Sequence, residues 1–127
     1  ARSLKSSLTS SERLNKELLR VSTSASFPST LTGKNLEQVA KVIAAREHLD
    51  EERQVFYIMK GGFDSHASEQ EQVQRHFDEI NDGLSAFVEE MKAQGVWDSV
   101  ALLSASDFAR TLGSNGAGTD HVRACWN

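Results

Sequence analysis

Arg53-Gln-Val-Phe-Tyr-Ile-Met-Lys-Gly-Gly-Phe-Asp-Ser-His66 is the stretch on which the fold reading turns. Its centre, Val55-Phe56-Tyr57-Ile58-Met59, carries no charge, is rich in β-branched and aromatic residues, and is soon followed by Gly61-Gly62. That combination favours a strand over 54–59 rather than a helical turn. Apolar on both faces, it reads as an interior strand of a sheet covered on both sides.

Helical periodicity flanks it. Upstream, Leu36, Val39, Ala40, Ile43 and Ala44 recur at helical spacing, with Glu37, Gln38, Lys41 and Arg46 on the other face, which predicts a helix over 34–49. Downstream, Ser68 and Glu71 form a capping box. Val73, Phe77, Ile80, Leu84, Phe87, Val88 and Met91 then predict a helix over 69–94, closed by Lys92 in a basic last turn and by Gly95 as a left-handed cap. Val100-Ala101-Leu102-Leu103 supplies a second interior strand, over 99–104. Helix, strand, helix, strand is the order of a parallel α/β unit with a right-handed crossover, its two strands adjacent.

The ends are softer. Residues 1–33 read as a poorly ordered N-terminal segment with one short helix, opened by Thr9 and Glu12 and continued by Leu14, Leu18 and Leu19. Within it, Val21 to Gly33 holds seven Ser or Thr and the only proline, Pro28, and reads as a connecting loop. Residues 34–127 are the α/β domain, in which the glycine-rich stretch from Gly113 to Gly118 is a loop.

Composition narrows the function. The 127 residues suffice for one domain, and 39% apolar with 7% aromatic content implies a modest aliphatic core. Fourteen Lys and Arg against eighteen Asp and Glu leave a net charge of −4, which disfavours nucleic acid as a partner. The single cysteine, Cys125, excludes an intramolecular disulfide and a thiolate metal cluster. Apolar runs are too short for membrane insertion or for a signal-peptide core, so localisation stays open.

Two polar clusters follow the two strands, where an open parallel sheet binds its ligands. Gly61-Gly62-Phe63-Asp64-Ser65-His66 follows the first; Ser104-Ala105-Ser106-Asp107 follows the second, with Thr119-Asp120-His121 beyond the glycine loop. Asp and His are ordinary ligands of Zn²⁺, and an oxygen-rich set suits Mn²⁺ or Mg²⁺. A plain structural reading stands beside this one, with each Asp capping a loop and each His bonded to backbone. Ser104 and Ser106 lack the surroundings of a nucleophile elbow. His48, His76, Asp78 and Glu79 read as solvated helix surface, and Arg110 as either an anion-binding fork or a salt-bridge partner of Asp107.

Three words carry a resemblance: residues 27–46, opening Phe27-Pro-Ser-Thr; residues 53–66, quoted above; and Ser106-Asp-Phe-Ala-Arg-Thr-Leu-Gly-Ser-Asn-Gly-Ala-Gly-Thr-Asp-His121. They resemble a widespread, often exported bacterial family of uncharacterised proteins in the alkaline-phosphatase and sulfatase superfamily. The resemblance implies a partial three-layer domain with a mostly parallel sheet, and a periplasmic or exported parent. It makes Asp64 and His66 ligands of one divalent metal, Asp120 and His121 ligands of a second, and Arg110 and Asn115 residues at the substrate edge. Two metals about 4 Å apart clamp the attacking and departing oxygens of a phosphoryl or sulfuryl transfer. Val122, Ala109 and Ser65 depart from the family pattern, and the nucleophile strand has no counterpart here.

Two expectations follow. In the first, the chain is a fragment of a metal-dependent phosphoric or sulfuric ester hydrolase, inactive in isolation. In the second, it is a small soluble α/β protein that binds a partner or self-associates as a homo-oligomer, its metal site vestigial.

Overall fold

Thr30 opens the first of the two long helices in the computed structural model, which describes residues 11–12, 14–49, 52–64, 69–114 and 119–122. The Thr30 hydroxyl accepts a hydrogen bond from the Gly33 amide at 3.1 Å, and α1 runs over Leu31–Ala44. It starts ahead of the expected Lys34 because the cap sits inside the Ser/Thr-rich stretch, where a side-chain oxygen satisfies an amide that the helix cannot. The chain breaks step at Ala45, so the expected single helix over 34–49 is α1 followed by one further turn, α2 (Arg46–Leu49).

Helix α3 (Glu69–Ala93) matches the periodicity closely. Its C-terminus is a Schellman motif: the Gly95 amide donates to Lys92 O and the Val96 amide to Met91 O, both at 3.0 Å, with Gly95 at φ +69°. The proposed N-terminal capping serine, Ser68, lies outside the described residues.

Packing of α1 on α3 makes the core. Leu36 and Ala40 from α1 meet Phe87 and Met91 from α3, each pair one helical turn apart, and Phe27, Ile58, Leu84 and Val100 close around them. Burying Phe87 and Met91 contributes about 1.5–3 kcal/mol each. Gly83 permits the close approach: a Cβ at that position would lie 3.0 Å from Leu36 Cδ1 and 3.7 Å from the Gly33 Cα. Its modest helix propensity is offset by the contact its missing side chain allows.

Residues 14–18 are helical, and residues 21–30 run back across the helices, tied down by Glu90 of α3. That carboxylate is buried and accepts from the Ser24 and Ala25 amides at 2.7 and 2.8 Å and from Gln94 Nε2 at 2.9 Å. Burial pushes its pKa up, but the bonds from Gln94, Ala25 and Ser24 outweigh burial and leave it below the ordinary carboxylate range.

The parallel α/β unit does not form. Residues 54–59 and 100–104 take no regular secondary structure, and neither is a strand of a sheet among the described residues. Trp97–Ser99 is a 3-10 turn that takes up the start of the second expected strand. Ile58 and Val100 pack against the helical core, while Val55, Tyr57 and Leu103 are 97, 83 and 98% exposed. Continuous apolar character signals two faces to be covered; here one face meets helices and the other meets solvent. The expected three-layer, mostly parallel architecture is thus corrected to a helical pair with one antiparallel hairpin among the described residues.

That hairpin joins β1 (Ala109–Ser114) to β2 (Thr119–Val122), with Ala109 opposite Val122, Arg110 opposite His121 and Ser114 opposite Thr119. The glycine-rich loop was the available signal, since turn residues between two short Thr-containing runs mark a hairpin. Among the described residues, no helix is long and apolar enough to cross a membrane.

Candidate functional site

The Gly-Gly-Phe-Asp word, residues 61–64, lies along α3 and is held there by three side chains. Lys60 forms an ion pair with Glu79 of α3. One turn earlier on the helix, His76 Nε2 lies 2.9 Å from Gly62 O; a carbonyl only accepts, so this nitrogen carries the proton. The Phe63 ring packs against the rings of His76 and Phe77, with centroids 5.0 and 5.6 Å apart. Gly62 adopts φ +97°, and a Cβ there would sit 2.6 Å from His76 Nε2, so both backbone and space demand glycine.

Glu79 is the hub of this clasp. Besides Lys60 it accepts from the Thr32 hydroxyl at 2.7 Å and the Thr32 amide at 3.3 Å, joining α3, the first turn of α1 and the irregular segment. The Lys60 ammonium and the Thr32 hydroxyl hold its pKa down to about 2, against a small opposing effect of burial. A carboxylate at the N-terminus of α1 also complements the helix dipole.

Asp64 sits at the end of the clasped word with its side chain exposed. Of the six residues proposed from the sequence, it alone has a described side chain. His66 and Asn115 lie outside the described residues. Arg110 has a backbone place in β1, and Asp120 and His121 in β2, but their side chains lie outside the described part. Among the described residues, no three His, Cys, Asp or Glu side chains gather as a metal site.

Glu79 and His76, read from the sequence as solvated surface, are instead the groups that position the word. A faint signal existed. Gln72, Arg75, His76 and Glu79 form a polar stripe at helical spacing beside the apolar face, and Lys60 follows directly on an apolar run. Periodicity registers such a stripe as solvent-facing because it cannot see that another segment lies over it.

Comparison with known proteins adds one finding. A family model described as a protein of unknown function, DUF1501, matches residues 5–127. The chain belongs to the DUF1501 family. No curated protein and no solved structure matches this DUF1501 chain. The match carries no link to the alkaline-phosphatase and sulfatase superfamily, and the parallel sheet which that resemblance implied is absent among the described residues. Membership in DUF1501 therefore replaces the superfamily assignment.

Proposed function

We propose that this chain is one part of a divalent-metal-dependent hydrolase of phosphoric or sulfuric esters, catalytically silent on its own. The observation that carries the reading is the clasped 61–64 word, which holds the backbone leading to Asp64 through Lys60, His76 and Phe63. A ligand pair needs that kind of support, since a metal site loosened by about 1 Å loses its geometry. Asp120 and His121 supply a second pair of the same donor type, and the four groups suit Zn²⁺, Mn²⁺ or Mg²⁺. Arg110 and Asn115 are the candidates for contact with substrate, since a guanidinium fork suits a tetrahedral oxyanion. Among the described residues no side chain is placed as a nucleophile, and on this reading the chain binds metal weakly and does not turn over.

Calorimetric titration of the full chain with Zn²⁺ and Mn²⁺, beside a chromogenic aryl phosphate and aryl sulfate assay, tests this. Weak binding lost in a His66→Ala, His121→Ala double variant, with no turnover by either chain, is the expected result. Absence of binding removes the metal reading, and metal-dependent turnover abolished by the double variant removes the claim of silence.

A second reading is favoured by a different observation. The exposed faces of Val55, Tyr57 and Leu103 suit a self-associating module, completed when those faces are covered by another chain.

A further inference from the structure

We infer that Glu90 is a proton-operated latch on a strap, residues 21–30: neutralising this one carboxylate frees the strap while α1 and α3 stay packed, and bares the apolar seam under Phe27. The strap has little else to hold it. It takes no regular structure, carries no charged residue, and lies over the two helices with Phe27 against the cluster of Leu36, Ala40, Phe87 and Met91. Its polar anchorage to α3 converges on a single oxygen, since the Ser24 and Ala25 amides both donate to Glu90 Oε2, at 2.7 and 2.8 Å. Ordering an irregular segment costs backbone entropy at every residue, so one half-buried ring is a weak hold once that oxygen lets go.

The latch responds to a proton because Glu90 is 1% exposed and the three groups bonded to its carboxylate are all donors. Gln94 Nε2 is the third, bonded to Oε1 at 2.9 Å and also to Ala40 O at 3.2 Å. A proton arriving on Glu90 Oε1 therefore faces another N–H. Gln94 does carry an acceptor, its Oε1, which is buried without a hydrogen-bond partner. Turning the amide to offer that oxygen gives up the bond to Ala40 O and sets two acceptors against each other. The neutral acid thus loses the charge assistance of both strap bonds and leaves the Gln94 amide mismatched.

No cation competes for the carboxylate among the described residues. On the elements around α3, Lys41 is paired with Glu37 and Lys60 with Glu79; Lys34, Glu89, Lys92 and Asp98 are exposed, and none of these bonds to Glu90. Burial raises its pKa, and the bonds from Gln94, Ala25 and Ser24 lower it further, to below the ordinary 4.5. The latch is therefore shut at neutral pH, and it opens as the pH falls through a value under 4.5.

Amide NMR of the full chain during an acid titration tests the latch, with Thr32 reporting the separate titration of Glu79. The Ser24 and Ala25 amide shifts should follow one titration with its midpoint below 4.5, and their exchange protection should fall roughly tenfold while that of Phe87 and Met91 holds. Glu90→Gln, a neutral stand-in for the protonated acid, should show the lowered protection already at neutral pH and no titration of those two amides. Gln94→Met, which removes one of the bonds that hold the proton off, should move the midpoint upward. Amides 24 and 25 that titrate alike in Glu90→Gln, or that lose protection only together with α3, overturn the latch. If circular dichroism shows Glu90→Gln to be unfolded, Gln94→Met decides: an upward midpoint supports the latch, and an unmoved or lowered one overturns it.

Discussion

Glu79 shows how much one side chain decides. Its carboxylate joins Thr32, Lys60 and α3, and its pKa is held at about 2. The unfolded chain titrates this group near 4.5, so the clasp stabilises the protein fully above that pH, and the contribution disappears as pH falls towards 2. Denaturant unfolding across this interval should show stability falling with acid, and Glu79→Gln should flatten the fall. An unchanged slope in that variant would mean that the pair does not couple to folding. Glu90 titrates in the same direction, so the residual slope in Glu79→Gln reports its bonds to residues 24 and 25. Of this, only the polar stripe at residues 72, 75, 76 and 79 was legible in the sequence. A helix pattern gives the face on which a residue lies, and it cannot reveal that a lysine from another segment lies on that face.

At the scale of elements, legibility followed the source of each signal. Helix α3 was readable almost to the residue, because its apolar spacing and its Gly95 cap are local properties. Helix α1 was readable in its middle and misplaced at its start, since Thr30 caps it from within a stretch whose composition suggests a loop. Strand pairing is non-local, and there the reading failed: Val55–Met59 has strand composition but takes no regular structure, because composition names no partner. The same separation predicts two mutations. Phe87→Ala, in the packed face of α3, should destabilise the chain by about 3–5 kcal/mol. Tyr57→Ala, 83% exposed, should change the stability of the dilute chain by less than about 0.5 kcal/mol. Comparable losses in the two variants, measured by urea unfolding, would place Tyr57 in a covered layer and contradict the fold described.

On the scale of the whole molecule, a small helical core carries two irregular segments, 53–60 and 100–107, whose apolar residues are largely exposed. Apolar surface of this kind is costly in water and invites a covering partner. The site proposed from the sequence is affected by the same incompleteness: the clasp fixes the approach to Asp64, while the other Asp-His pair lies on the hairpin strand β2. The sequence could name the donor types, because Asp and His announce themselves. It could not show whether they converge, because convergence depends on the pairing that composition leaves open.

Amide hydrogen exchange, read residue by residue on the full chain at low and high concentration, tests this incompleteness most directly. In dilute solution α3 should be protected while residues 54–59 and 101–104 exchange rapidly, and those two segments should gain protection together as the concentration rises. Strong protection of both segments in the dilute monomer, equal to that of α3, would show that they are already paired within one chain and would contradict the account.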